Sequence, residues 1–347
     1  MDYQNLCELY TLKNIDMGLY NELKQMKLVQ IKNHPNLPLK ILNYTPITQM
    51  KKKWNTNLLY ARGLVVNDDW KIIARPLPKF FNDYEVRGGL PSKPFEVYEK
   101  LDGSLIIMSF YEGKPIFCTR GSFTSEQAIK AQELFTEKYQ NVNVDQDFTY
   151  CFEIIYPHNK IIVDYKEEED IFLLAKIHTA TGREASIKDT GFRCVNMYDQ
   201  NKSLSELKHM DAENKEGFVI HFPHNNFRVK IKFKTYINLH KIGKYSRKDV
   251  VKKMAKGGEM ALEQIPDECY LDLENMRSVI NQQFKALKHD MLSEYANIKY
   301  EYKEEKEIIE KIKQSPYRNI LFCLLRDEKC DKLILSKLQE LIYRTGF

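Results

Sequence analysis

From about residue 58 to residue 235 the chain alternates short apolar runs with turn signals: LLYARGLVV, KIIARPL, SLIIMSF, KPIFCT, FTYCFEIIY, KIIVDY, DIFLLAKI, GFVIHF and FRVKIKF. Short runs rich in β-branched and aromatic residues, bounded by Gly, Pro, Asn or Asp, predict strands, here of a mostly antiparallel, sheet-rich domain. In the last run, period-two alternation puts Phe227, Val229, Ile231 and Phe233 on one face and Arg228, Lys230, Lys232 and Lys234 on the other. One face makes core; the other is either a solvated surface or a row of positive charge facing an anion. FTSEQAIKAQELF predicts a helix, with Thr124 and Gln127 as a capping box and Ala128, Ala131, Leu134 and Phe135 as its apolar stripe. Beyond residue 240 the period changes. Leu273, Met276, Ile280, Phe284, Leu287, Met291, Tyr295 and Ile298 recur at steps of three and four, and DKLILSKLQELIYR does much the same. The pattern predicts an α+β fold: a sheet-rich domain over 1–240 and a smaller all-helical domain over 241–347.

At 347 residues and 43% hydrophobic composition, the chain is long enough to bury two cores. Its net charge of +5 is a mild basic bias that suggests an anionic partner only where the cations cluster. Seven scattered cysteines, with no Cys-x-x-Cys pair, point away from a zinc site and toward a reducing compartment without disulfides. The amino terminus lacks the basic-then-apolar order of a signal peptide, and no run is long enough to span a bilayer. The expectation is a cytoplasmic protein, in the host cytoplasm if viral, with no membrane partner.

Within YEKLDGSLII, Lys100, Asp102, Gly103 and Ser104 crowd the junction between two strand-like runs. Asp-Gly alone reads as a tight turn with positive φ and a solvent-facing lysine. The companions change that reading. Arg62 in ARGLVV, then Arg75, Lys79 and Phe81 in ARPLPKFFN, stand upstream; TRGSF, FEIIYPHNKII, KEGFVI and FRVKIKF follow, each adding a cation, a carboxylate or a ring. Glu153 sits amid residues that read as buried strand, where an unpaired carboxylate is costly. It is either half of a structural ion pair, a ribose-hydroxyl acceptor or a metal ligand. Glu216 is followed by Gly217, which allows close backbone approach. Two lysines beside one phosphate suit triphosphate chemistry, in which charge building on phosphoryl oxygens is neutralised in place.

In this order the segments resemble the covalent nucleotidyltransferase superfamily of ATP-dependent RNA ligases, DNA ligases and mRNA capping enzymes, and above all RNA ligases of the bacteriophage tRNA-repair type. KLDGS is similar to the family's Lys-x-Asp-Gly-Ser motif, CFEIIYPHNKIIV to its third motif, KEGFVI to its fourth and KIK to its fifth. The resemblance spans roughly residues 40–240 and implies an ATP-grasp-like nucleotidyltransferase domain in which Lys100 accepts AMP. It gives Asp102, Glu153, Glu216, Lys230 and Lys232 matching catalytic roles, with Glu153 and Glu216 at the metal. Arg62, Lys79, Phe81, Gly103, Arg120 and Tyr236 fall to the nucleotide site. Arg120 stands where phage-type ligases carry lysine, which keeps the charge but not a point-like ammonium.

The implied reaction is attack of Lys100 on the α-phosphorus of ATP, aided by Mg²⁺ or Mn²⁺, followed by AMP transfer to an RNA 5′-phosphate and its displacement by a 3′-hydroxyl. A free lysine amine has a pKa of ~10.4, so the nucleophile has to be desolvated or crowded by other cations. The implied partner is RNA with 5′-phosphate and 3′-hydroxyl ends, by resemblance a nicked tRNA. No G-x-x-x-x-G-K-[ST] P-loop occurs, so an end-healing kinase activity would have to come from another protein, and a separate end-healing kinase/phosphatase is a further candidate partner. A DNA ligase or capping enzyme would carry a β-rich OB-fold after KIK, where this chain reads as helix. A catalytically silent RNA-binding module is the alternative from another class; it draws on KIGKYSRKDVVKKMAK, whereas the intact KLDGS, both acids and KIK argue against decay. In that segment Lys241, Lys244 and Lys248, then Lys252 and Lys256, step by three or four and would form one stripe on a helix, the candidate RNA-binding residues.

Overall fold

A computed structural model describes residues 2–11, 15–91, 94–198, 202–238 and 270–345. The chain divides into two compact units, Met1–His240 and Lys241–Phe347.

The first unit runs α1 (Tyr3–Thr11), α2 (Leu19–Gln25), β1 (Val29–Asn33), β2 (Leu39–Tyr44), α3 (Pro46–Lys51), α4 (Thr56–Tyr60), β3 (Arg62–Asn67), β4 (Ile72–Ala74) and β5 (Phe81–Asn82). It continues with β6 (Glu96–Lys100), β7 (Ser104–Tyr111), β8 (Lys114–Cys118), α5 (Glu126–Lys138), β9 (Phe148–Ile155), β10 (Asp170–His178) and β11 (Glu184–Ala185). Last come β12 (Met197–Tyr198), α6 (Leu204–His209), β13 (Gly217–Phe222) and β14 (Phe227–Lys232). These strands form three sheets, ordered β1-β2-β3-β4, β11-β10-β9-β7-β8 and β12-β6-β13-β14-β5. Among the described residues, pairing between these strands is antiparallel except between β14 and β5.

Each of the three sheets turns an apolar face onto helices, the first onto Tyr20 and Leu23 of α2. Leu6 and Tyr10 of α1 cover Phe218, Ile220, Phe222, Phe227, Val229 and Ile231 of the third sheet, and Ala131 and Leu134 of α5 pack on Ile106, Phe152 and Ile154 of the second. Burying such residues is worth roughly 1.5–3 kcal/mol each relative to exposure. The expected apolar face of β14 is therefore core. Its cationic face is not solvated, for Arg228 and Lys230 are buried as well.

Three local expectations change. The sheet region begins at Val29 rather than near residue 58, because β1 and β2 complete the first sheet. Helix α5 is capped one residue later than Thr124, by Ser125, whose hydroxyl accepts the Ala128 N–H at 3.3 Å. KIIVDY is not a strand, because two of its amides bond the Asp102 carboxylate instead of a neighbouring strand.

The second unit holds α7 (Tyr270–Glu301), α8 (Glu305–Gln314), α9 (Arg318–Leu325) and α10 (Asp331–Thr345). Ile280, Leu287 and Met291 of α7 pack with Ile320, Ile334 and Leu338, as the period-3.6 stripe predicts. No described helix is long and apolar enough to cross a membrane.

Candidate active site

Lys100 ends β6 in the third sheet and Ser104 begins β7 in the second, so Leu101, Asp102 and Gly103 are the crossover between the two sheets. This is not the positive-φ turn that Asp-Gly suggests, since Gly103 is not among the residues with positive φ. Glycine is needed for space: a Cβ here would lie 2.3 Å from the Ile154 carbonyl oxygen and 3.1 Å from Glu153 Cγ. Its N–H donates to Glu153 Oε1 at 3.1 Å. Asp102 is buried and fully engaged. Its Oδ2 accepts the N–H groups of Ile162 and Val163 at 2.8 and 2.9 Å, and its Oδ1 accepts the Tyr236 hydroxyl at 2.6 Å. The Asp102 N–H donates to the Tyr165 hydroxyl oxygen at 2.9 Å. A segment 60 residues downstream is thereby folded over the crossover.

Register places the charges. Gly217 of β13 lies opposite Lys100 of β6 on one side and Lys232 of β14 on the other. Glu216, the preceding residue, takes both ammonium groups: Lys100 Nζ to its Oε2 at 2.8 Å and Lys232 Nζ to its Oε1 at 3.0 Å. Burial by itself would raise the Glu216 pKa, but the charges of Lys100 and Lys232 outweigh it and hold the carboxyl below the usual range. Glu153 differs. Burial pushes its carboxyl up to about 7, with Lys100 pulling it down and Glu216 pushing it further up. Two carboxylates with opposite shifts thus stand beside one lysine. The Lys232 ammonium also lies 5.3 Å from the centroid of the Tyr236 ring. Lys230, one row deeper in β14, is buried opposite Val219 and beside Asn82 of β5.

The structure thus joins Lys100, Asp102, Gly103, Glu153, Glu216, Lys232 and Tyr236 in one cluster, with Arg62 within electrostatic reach of Glu153. Lys79, Phe81 and Arg120 belong to a second group, built on rings. Arg120 donates to the Tyr44 hydroxyl at 3.0 Å and stacks on that ring at 5.1 Å. Tyr44 meets Trp54 edge-on, Trp54 meets Phe81 in the same way, and the buried Lys79 ammonium lies 5.2 Å from the Phe81 centroid. Tyr44 and Trp54 precede every motif of the sequence and give no signal there beyond being aromatic. Tyr165, just past the end of FEIIYPHNKIIV, gives none either, and nor does Glu184, which accepts a bidentate pair from Arg228 at 2.7 and 2.5 Å. That last pair ties β14 of the third sheet to β11 of the second and explains why Arg228 is buried. Lys241, Lys244, Lys248, Lys252 and Lys256 lie outside the described residues.

The family model for RNA ligases matches residues 60–236, just over half of the chain and the span that holds every part of the Lys100 cluster. The chain belongs to the RNA ligase family. A protein of Autographa californica nuclear polyhedrosis virus, provisionally named a bifunctional polynucleotide kinase/RNA ligase, is 27% identical over 259 residues, covering 65% of this chain and 36% of that one. An RNA ligase of Rhodothermus phage RM378 is 20% identical over 268 residues, covering 53% of this chain and 60% of its own. Among solved structures, Naegleria gruberi RNA ligase with pyrophosphate aligns at 20% identity and a TM-score of 0.35, over 42% of this chain and 51% of that one. The chain spans only 36% to 60% of the length of the curated relatives it matches.

Proposed function

We propose that this protein is an ATP-dependent RNA ligase that joins 5′-phosphate and 3′-hydroxyl RNA ends through lysyl-AMP and RNA-adenylate intermediates. The observation that carries the reading is the single Glu216 carboxylate gripping both Lys100 and Lys232. It holds a nucleophilic amine and a phosphate-neutralising cation on two strands of one sheet. Lys100 Nζ forms a bond to the α-phosphorus of ATP as the bond to pyrophosphate breaks, and the amine proton is released. A 5′-phosphate oxygen of RNA then attacks the same phosphorus; the Nζ–P bond breaks and the amine is reprotonated. A 3′-hydroxyl finally attacks the RNA 5′-phosphorus and AMP leaves.

Lys232 stabilises charge on the phosphoryl oxygens, and Lys230 and Arg62 extend that field. Asp102, locked by two amides and Tyr236, fixes the crossover on which Lys100 is mounted. Among the described residues no group of three or more His, Cys, Asp or Glu could hold a metal ion. Glu153 and Glu216 are the two carboxylates that fit Mg²⁺ or Mn²⁺, an ion commonly bound by one or two carboxylates plus substrate phosphates. When bound, that ion supplies charge compensation to the attacked phosphate and the leaving pyrophosphate. The relatives' names support an RNA substrate, and solved Naegleria RNA ligase structures contain ATP or AMP with Mn. We further assign the RNA to a nicked tRNA, selected by the basic stripe Lys241 to Lys256.

The test is incubation with α-labelled ATP and Mg²⁺, followed by denaturing electrophoresis. Wild-type protein should carry a covalent label that resists alkali and is lost in acid, as a phosphoramidate is, and Lys100→Ala should carry none. A label that persists in Lys100→Ala places the reaction elsewhere.

A further inference from the structure

One cavity in the first unit touches the cluster from outside. It has a volume of about 350 Å³ and lies between the crossover residue Asp102 and the loop that runs from Ile155 to Glu167. Tyr156, Pro157 and Tyr165 supply ring surface to it. Two of its residues are bonded into the KLDGS stretch: Tyr165 through the Asp102 N–H, and Asn159 through reciprocal bonds with the Ser104 hydroxyl at 3.1 and 3.2 Å. Asp102 belongs both to this lining and to the Lys100 cluster, so the cavity borders that centre.

Charge and size limit what can enter. Asp164 and Glu167 line the cavity against Lys160 and Lys166, Lys160 is already held by Asp164 at 2.7 Å, and the Asp102 carboxylate is spent on Ile162, Val163 and Tyr236. A lining with no surplus of positive charge gives a triphosphate or a dianionic 5′-phosphate nothing to bind to. A volume near the lower limit of ligand pockets admits one nucleoside rather than a nucleoside triphosphate. Rings to stack on and carboxylate and amide groups for ribose hydroxyls are what single-stranded RNA ends require. Of the two RNA ends in the reaction, the acceptor is the one that lacks a terminal phosphate.

We infer that this cavity is the subsite for the 3′-terminal nucleoside of the acceptor strand. The inference rests on the RNA ligase reading above and adds to it where the attacking hydroxyl is delivered from. Two experiments on the full chain test it. In the first, 4-thiouridine is placed either at the 3′ terminus of an acceptor RNA or at the 5′ terminus of a donor RNA and photocrosslinked to wild-type protein. Adducts within residues 156–167 should arise from the acceptor probe alone; adducts from the donor probe there, or none from the acceptor, overturn the assignment. In the second, Lys160→Trp sets a ring at the mouth from a half-exposed position. It should leave lysyl-AMP formation within about twofold of wild type and raise the acceptor KM in joining to a pre-adenylated donor roughly tenfold or more, while Lys160→Arg behaves as wild type. A drop in lysyl-AMP formation would give the cavity to ATP, and an unmoved acceptor KM would leave it without RNA; either removes the inference. Absence of lysyl-AMP in wild-type protein is the separate result that removes the ligase reading itself.

Discussion

The Glu153 carboxyl, pushed up to about 7 by burial, links the site to the stability of the free protein. Below about pH 4.5 the carboxyl is protonated in both folded and unfolded chains and makes no difference between them. Between about 4.5 and 7 the unfolded chain releases its proton first, so stability falls as pH rises through that window and levels off above it. The loss is on the order of 2–4 kcal/mol. Glu153→Gln, which can still accept the Gly103 N–H, should therefore unfold at a higher temperature than wild type at pH 8 and at nearly the same temperature at pH 4. Calorimetry that finds the two proteins equally displaced at both values would show that Glu153 is not held protonated. Glu216→Gln should do the reverse, destabilising the protein at pH 8 because Lys100 and Lys232 lose their shared counter-charge, and it should also abolish labelling from ATP. Both acids are legible in the sequence, one as a carboxylate within an apolar strand and the other beside a glycine. The lowered proton affinity of Glu216 is not, because it depends on Lys100 and Lys232, brought beside it only by strand register, whereas the raised one of Glu153 follows from its burial.

At the level of the strands, close packing explains two glycines more fully than turn chemistry does. A Cβ at Gly103 would meet the Ile154 carbonyl at 2.3 Å, and one at Gly217, where φ is +149°, would meet the Ile231 carbonyl at 2.0 Å. In both cases the obstacle is backbone of the adjoining strand, which cannot step aside as a side chain can. Gly103→Ala and Gly217→Ala should each cost roughly 2–4 kcal/mol in urea denaturation, by pushing β7 from β9 and β13 from β14. A cost below about 0.5 kcal/mol would mean the strands yield freely. The Arg228–Glu184 pair supports the same architecture by joining two sheets. Arg228→Ala should destabilise by about 3–5 kcal/mol by leaving Glu184 buried alone, and Arg228→Met with Glu184→Leu should recover most of that. A double substitution no better than the single one would show that the sheets do not depend on this link. The apolar face of β14 is readable from alternation, whereas the fate of its cationic face is not, since Glu184 lies on another sheet. KIIVDY misleads for a similar reason: its β-branched residues favour a strand, but the amides of Ile162 and Val163 are drawn to Asp102.

At the scale of the whole chain, a net charge of +5 is modest, yet seven cations stand against Asp249 in the stretch KIGKYSRKDVVKKMAK. The boundary between the two compact units falls at residue 241, where this stretch begins, and every residue of the Lys100 cluster falls in the first unit. Chemistry and RNA selection are therefore separable by mutation under the proposed reading. Lys241, Lys244, Lys248, Lys252 and Lys256 follow helical spacing, and a stripe of like charge repels itself unless an anion runs along it. Each lysine that neutralises a phosphate displaces condensed counterions, so removing such lysines lowers the dependence of binding on salt, by roughly 0.7 to 0.9 in slope for each phosphate no longer neutralised. Replacing Lys248, Lys252 and Lys256 with alanine should leave lysyl-AMP formation within about twofold of wild type, since under this reading ATP is handled by the first unit. Joining of nicked tRNA should fall by about tenfold or more at physiological salt, and the salt slope of RNA binding should drop by about two to three. The discriminating comparison is between tRNA and a short unstructured RNA joined by the same variant. If the stripe selects tRNA, the short substrate suffers less than the tRNA; equal joining of both at wild-type rates, with the salt slope unchanged, would make the lysines ordinary solvated surface and move RNA selection to the residues around Lys100.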